Sequence, residues 1–236
     1  MTRPQAAFRP NRLSRASATV EDDLCLGDLR FSALLGVDAW SRLPATVRQR
    51  FSKRLDAGGA VTYAGEIVES HRTRFGKLLA QLGRLIGAPL PLCDDVAVPA
   101  VVTVIEDGAI GGQFWIRMYG RTSDFPQVIH SSKRFAGPTG LEEYLGRGFG
   151  IALRVRADAE ALHFDSDHYF VDLGAVRLRL PRWLEPGALM ISHVDRGDGW
   201  SAFLLVLRHR LFGEAIRQTG LFHERFARGA KENPRD

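Results

Sequence analysis

Trp115, Arg117 and Tyr119 stand at alternate positions, with Phe114, Ile116 and Met118 between or beside them. In an extended chain alternate side chains share a face, so the arginine is flanked by two rings while the opposite face is apolar. A planar guanidinium between rings suits a carboxylate or phosphate, and the rings bury the rest of the guest. The alternative is an arginine that reaches the rim or pairs with a buried acid such as Glu66 or Glu69. The next extended stretch places His130 and Ser132 on the face of Val128, opposite Ile129. If it pairs with the first, both groups share the space around Arg117 and form a small polar patch in an apolar surround, as ligand pockets do. The ligand-binding candidates are therefore Trp115, Arg117, Tyr119, His130 and Ser132. A surface histidine, or a hydrogen-bonded core histidine, is the alternative for His130.

Four potential metal ligands, His163, Asp165, Asp167 and His168, fall within six residues. Imidazole and carboxylate together suit zinc, iron or manganese. An Asp-Ser-Asp run is also explained by a hairpin turn, and no third histidine lies at a typical spacing, so no metal is favoured there. Glu66, Glu69 and His71 form a weaker set, because strand alternation separates Glu66 from the other two. Gly146, Gly148 and Gly150 precede a strand where a dinucleotide loop must follow one and open a helix. Ser192 and His193 are adjacent in a predicted strand and point to opposite faces, so they cannot act as nucleophile and base on each other. With no GxSxG elbow and no phosphate-binding loop, no catalytic residue is assigned and no cofactor is predicted.

The elements that must position these residues follow from periodicity. Leu29, Phe31, Leu34 and Leu35 recur at helical spacing before Gly36, and Pro44 opens a second helix carrying Val47, Phe51 and Leu55, stopped by Gly58-Gly59. Ala60 to Ser70 reads as the first main strand. Thr73 to Ile86 is the strongest helix, with Phe75, Leu78, Leu79, Leu82, Leu85 and Ile86 as its apolar stripe and a basic face of Arg72, Arg74, Lys77 and Arg84 without an acid. Such a helix lies either across a sheet with its charges in water or on a membrane surface. Strands are predicted near 98–106, 113–120, 126–135, 149–157, 160–165, 168–172, 175–180, 188–195, 200–211 and 214–224, separated by turn residues. Thr139 and Glu142 read as a capping box for a short helix through Leu145.

This pattern predicts an α+β fold: a strongly curved antiparallel β-sheet, or partly open barrel, packed around the helix at 73–86. The expected organisation is a disordered basic tail over 1–27, one domain over 28–224 and a flexible C-terminal tail over 225–236. Arg154 and Arg156, Arg177 and Arg179, and Arg208 and Arg210 fall at strand spacing opposite apolar neighbours, and read as a solvated outer face.

At 236 residues and 45% hydrophobic content the chain can bury a sizeable core. Its net charge of +5 comes from 28 Arg and 4 Lys. That bias fits a GC-rich bacterial genome, and without a helix-turn-helix or RNA-stacking pattern no nucleic-acid partner is predicted. Cys25 and Cys93 form no metal or disulfide pattern and suit a reducing cytoplasm. The most apolar runs are far shorter than the ~20 residues of a membrane helix, so no transmembrane segment is expected.

The ordered landmarks Leu34-Leu35-Gly36, Leu43-Pro44, Leu90-Pro91, Trp115-x-Arg117-x-Tyr119, Leu180-Pro181 and His209-Arg210-Leu211-Phe212-Gly213 through Gln218, Gly220 and Phe222 resemble the bacterial family known as domain of unknown function 4166. The resemblance spans about Phe31 to Glu224. Domains of this family are sometimes joined to saccharopine-dehydrogenase-like or short-chain oxidoreductases, which implies an accessory or ligand-presenting role beside a separately encoded oxidoreductase. It implies no activity. The residues themselves favour non-catalytic binding of a small amphipathic or anionic, lipid-like ligand in a cavity of the sheet. The alternatives are an enzyme using His130 or the 163–168 groups as acid and base, and a partner- or membrane-surface protein using the basic helix.

Overall fold

The computed structural model describes residues 26–54 and 59–225. Residues 1–25 of the predicted basic tail, residues 226–236 of the C-terminal tail, Cys25, Leu55 and Gly58 lie outside the described residues. The chain begins with β1 (Leu26–Gly27), three short helices α1 (Arg30–Leu35), α2 (Val37–Arg42) and α3 (Ala45–Phe51), and β2 (Lys53–Arg54), which pairs with β1. Next come β3 (Ala60–Arg72), α4 (Arg74–Gly83) with a 3-10 turn at Arg84–Ile86, β4 (Val98–Asp107), β5 (Gly112–Tyr119), β6 (Gln127–Arg134) and β7 (Leu141–Gly146). The chain continues through β8 (Phe149–Ala157), β9 (Ala161–Asp172), β10 (Arg177–Arg179), β11 (Ala188–Gly197), β12 (Trp200–His209) and β13 (Gly213–Arg225).

Ten strands form a closed antiparallel barrel in the order β9-β11-β12-β13-β3-β4-β5-β6-β7-β8. Short turns join most neighbours, as antiparallel pairing allows. Pairing of β13 with β3 joins the last long strand to the first, and pairing of β8 with β9 completes the cylinder. Along one edge of β9, residues 161–165 pair with β11 and residues 170–172 pair with β10. The Leu180–Pro186 connection from β10 to β11 therefore leaves the barrel wall and turns over one end of it.

Closure corrects the predicted fold class. The sheet is neither open nor wrapped around the helix at 73–86. That helix, α4, crosses the β10–β11 connection end of the barrel, and only Gly76 and Ala80 of it are buried. Its backbone sits directly on β13: a Cβ at Gly76 would fall 2.1 Å from the carbonyl oxygen of Ala215. Thr73 caps the helix by accepting from the Gly76 amide (3.2 Å), and the Thr73 amide donates to Ala215 (3.0 Å). Beyond the helix, the Gln127 side chain donates to the carbonyls of Ala88 and Leu90 and accepts from the Leu92 amide, tying the connector to β6. An amphipathic stripe has the same spacing whether it meets a concave sheet or the mouth of a barrel, so periodicity could not separate the two.

Two local predictions are also corrected. Where a capped helix was expected from Thr139 through Leu145, the chain forms β7 (Leu141–Gly146), because pairing with β6 and β8 on both edges satisfies the backbone that an isolated turn of helix would leave half-paired. Asp165-Ser166-Asp167 does not break the chain. β9 runs straight through with a one-residue shift of register against Ala152 and Leu153, a β-bulge.

At the end opposite α4, the lumen is plugged by α1 and α3, whose Phe31, Val47 and Phe51 are almost fully buried. Phe31 meets Phe51, Phe135 and Phe164 edge-on, with ring centroids 5.0–5.9 Å apart. Each such phenylalanine removed from water contributes roughly 1.5–3 kcal/mol.

Candidate functional site

Barrel alternation decides which side chains reach the lumen. From β5 these are Gln113, Trp115, Arg117 and Tyr119, all buried, while Phe114 and Met118 are exposed on the outside. β6 pairs with β5 so that Arg117 lies opposite Ile129, Ile116 opposite His130 and Phe114 opposite Ser132. Directly paired residues share a face. The inward residues of β6 are therefore Gln127, Ile129, Ser131 and Lys133. His130 is exposed on the outer face, and Ser132 lies on that same face beside Tyr144. The structure brings Trp115, Arg117 and Tyr119 together in the lumen and places His130 and Ser132 outside it.

Lys133 pairs with Glu143 of β7, and this register builds a charged cluster inside the barrel. The Arg117 Nη2 donates to Glu143 Oε1 at 2.9 Å and to the Ser131 hydroxyl, and Lys133 Nζ donates to Glu143 Oε2 at 2.5 Å. Lys133 also lies over the rings of Trp115 and Phe164, at 4.9 and 5.5 Å from their centroids. Burial alone pushes the Glu143 carboxyl up, but Lys133 and Arg117 outweigh it and hold it at about 2. Burial pulls Lys133 below the ordinary lysine range, and Glu143 opposes that pull. Two cationic side chains thus share one carboxylate, and the Arg117 Nε has no hydrogen-bond partner among the described residues.

His193 of β11 faces the same interior, edge-on to Phe51, Trp115, Phe164 and Phe203 at 5.0–5.9 Å. Burial, reinforced by Arg50, Lys133 and Arg117, holds its imidazole well below the usual histidine range, so it is neutral at physiological pH.

Arg117 borders two spaces. A small one of about 50 Å³ lies toward the α1–α3 plug, against Trp115, Tyr119, His193 and Phe203. A larger one of about 510 Å³ runs from Arg117 and Glu143 to α4. Its walls are mostly aliphatic, with Ile191, Leu205 and Leu207 from the barrel and Leu79, Leu82 and Leu85 from the helix end. A barrel of ten strands has room for such a chamber, because the interior widens with strand number. The arrangement can hold an elongated apolar group and present a guanidinium to its polar end.

The other candidates lie on the outer wall. His163 contacts Ser192 Oγ and Asp158 at 2.7 and 2.8 Å, Asp165 accepts from Arg156 at 2.8 Å, and Asp167 accepts from Arg154 at 2.6 Å and contacts His168 at 2.7 Å. This is a ladder of cross-strand pairs, and among the described residues no group of three or more His, Cys, Asp or Glu side chains could hold a metal ion. Arg154 and Arg156 form the basic half of that ladder. Arg177 reaches Glu142 at 2.6 Å over the Phe170 ring, and Arg208 reaches Glu214 at 3.5 Å. Arg72, grouped with the basic helix face by sequence, is the buried last residue of β3 and pairs with Asp94. Glu69 accepts from Thr219 on the barrel exterior.

Sequence reasoning missed Ser131, Lys133, Glu143 and His193. The available signal was the scarcity of lysine: one of only four in the chain falls in a predicted strand, with Glu142 and Glu143 nine and ten residues on.

No helix among the described residues is long and apolar enough to cross a membrane. No curated protein and no solved structure matches the chain. The family model described as Domain of unknown function (DUF4166) matches residues 43–222, which takes in α3, α4 and the ten barrel strands almost to the end of β13. With most of its length covered by that one match, the chain belongs to the DUF4166 family.

Proposed function

We propose that the barrel is a non-catalytic binding module for a small amphipathic guest whose anionic end meets Arg117 and whose apolar part fills the large chamber. The observation that carries this reading is the charge balance in the lumen. Arg117 and Lys133 share Glu143, leaving an excess of positive charge at the inner end of an otherwise aliphatic cavity of about 510 Å³. Uncompensated charge in a low-dielectric interior favours an anion far more than it would in water. The surrounding leucines and isoleucines supply the driving force for an alkyl or similarly apolar group.

The test is competition for the lumen. An environment-sensitive naphthalene sulfonate is titrated onto the protein and displaced with straight-chain carboxylates and with alcohols of equal length. Carboxylates are expected to displace the probe at lower concentration than the alcohols. Arg117→Gln should abolish that preference, and Leu205→Trp should weaken binding of both by filling the chamber. Equal displacement by acid and alcohol, or binding untouched by Leu205→Trp, would remove the basis for this reading.

A further inference from the structure

The outer end of the large chamber is not sealed by polar residues. Leu82 of α4, Leu85 of the 3-10 turn after it and Leu184 of the β10–β11 connection line the cavity, yet are 54%, 69% and 53% exposed. The same side chains thus belong to the wall and to the outer surface, which marks the mouth. Leu78, one turn before Leu82, is 55% exposed, and Trp183, next to Leu184, is 75% exposed. At the start of α4, Phe75 packs on Phe212 with centroids 4.3 Å apart, and Leu211 and Phe212 are themselves exposed. A rim of large apolar side chains around an opening is an interaction surface, because scattered exposure needs no explanation but a connected patch does.

Exposed positive charge predominates at this rim. Arg74 and Lys77 are exposed on α4, a helix with no acidic residue, Arg84 is exposed at the start of the 3-10 turn after it, and Arg147 lines the mouth between β7 and β8. Arg182 is exposed beside Trp183. The acids at this end are Asp94, engaged by both Arg72 and Lys77, and the half-buried Glu185 beside Leu184. Leucine and tryptophan among arginine and lysine on a short helix and adjoining loop is the composition of a surface that rests in the headgroup region of an anionic bilayer.

We infer that the α4 end of the barrel docks on anionic lipid surfaces, with Leu78, Leu82, Leu85, Trp183 and Leu184 entering the headgroup boundary and Arg74, Lys77 and Arg84 meeting lipid phosphates. This rests on the proposed binding role: a guest taken from a bilayer passes through the mouth without its apolar part crossing water, because the exposed rim and the cavity wall are the same residues.

Vesicle flotation tests it. The full chain should float with vesicles containing one-third phosphatidylglycerol, and not with phosphatidylcholine alone or in 1 M salt (Debye length about 3 Å). Leu78→Asp with Trp183→Asp, and separately Arg74→Glu with Arg84→Glu, should each lower the floated fraction at least about tenfold. Neither pair lines the cavity, so displacement of the naphthalene sulfonate in vesicle-free solution should be unchanged in both. Failure of the unmodified protein to float, or equal flotation of the variants, overturns the docking proposal while leaving lumen binding standing. Flotation with no lumen binding overturns the lumen reading instead. A dimer in solution that Leu78→Asp dissociates would identify this face as a contact between two copies and overturn the membrane assignment.

Discussion

Arg117 and Glu143, 26 residues apart in the chain, meet at 2.9 Å inside the barrel, and the other oxygen of that carboxylate is held by Lys133. The pairing sets an order of sensitivity. Glu143→Gln leaves two buried cations without a counter-charge, whereas Arg117→Gln leaves the Lys133–Glu143 pair intact and balanced. Removing one partner of a buried pair costs about 3–5 kcal/mol. Glu143→Gln is expected to reach that range, with a fall in Tm of roughly 10 °C or more, and Arg117→Gln to cost clearly less. Chemical denaturation of the two variants side by side checks the order.

Two groups of the buried lumen, His193 and Glu143, make stability depend on pH below neutrality. His193 is held below its unfolded value near 6.5, so the unfolded chain binds its proton first, and the stability present above pH 6.5 declines as pH falls below it. Glu143, at about 2 in the folded state against 4.5 ordinarily, contributes stability that is intact above pH 4.5 and lost as pH falls toward 2. His193→Phe keeps an aromatic ring among Phe51, Trp115, Phe164 and Phe203 and removes the titration. It should flatten the Tm profile between pH 6.5 and 5 while leaving the fall below pH 4.5 in place. A profile unchanged by His193→Phe would show that this imidazole is not the titrating group.

Gly76→Ala should be destabilising although alanine is the better helix former. The added methyl would meet the Ala215 carbonyl at 2.1 Å, a backbone atom that cannot swing aside, so α4 must lift from β13. Overpacking of this kind costs about 1–3 kcal/mol, more than the ~1 kcal/mol that alanine offers over glycine in a helix. Hydrogen exchange should localise the loss to α4 and the adjoining part of β13.

The ladder on β8 and β9 should matter little. Arg154 and Arg156 are exposed, and exposed pairs contribute about 0–1 kcal/mol. Asp165→Asn and Asp167→Asn are each expected to change stability by less than about 1 kcal/mol, read by urea denaturation, with no change on adding a chelator.

What the sequence determined by itself is local. Alternation along β5 put Trp115, Arg117 and Tyr119 on one face, the turn residues marked most strand ends, and the Phe75 to Ile86 stripe marked α4. These are properties of neighbours in the chain, where side-chain direction follows from backbone geometry. Tertiary structure decided which face was the inside and what Arg117 meets there. Only the register of β5 on β6 turned Ser131 and Lys133 inward and His130 and Ser132 outward, and a shift of one residue would have exchanged them. Only β8 pairing with β9 closed the sheet and left α4 to cross a mouth where a concave face was expected. Register and closure are set by contacts between residues far apart in the chain, whose burial and hydrogen bonding outweigh local preference, as at β7, where a helix signal was overruled by strands on both edges.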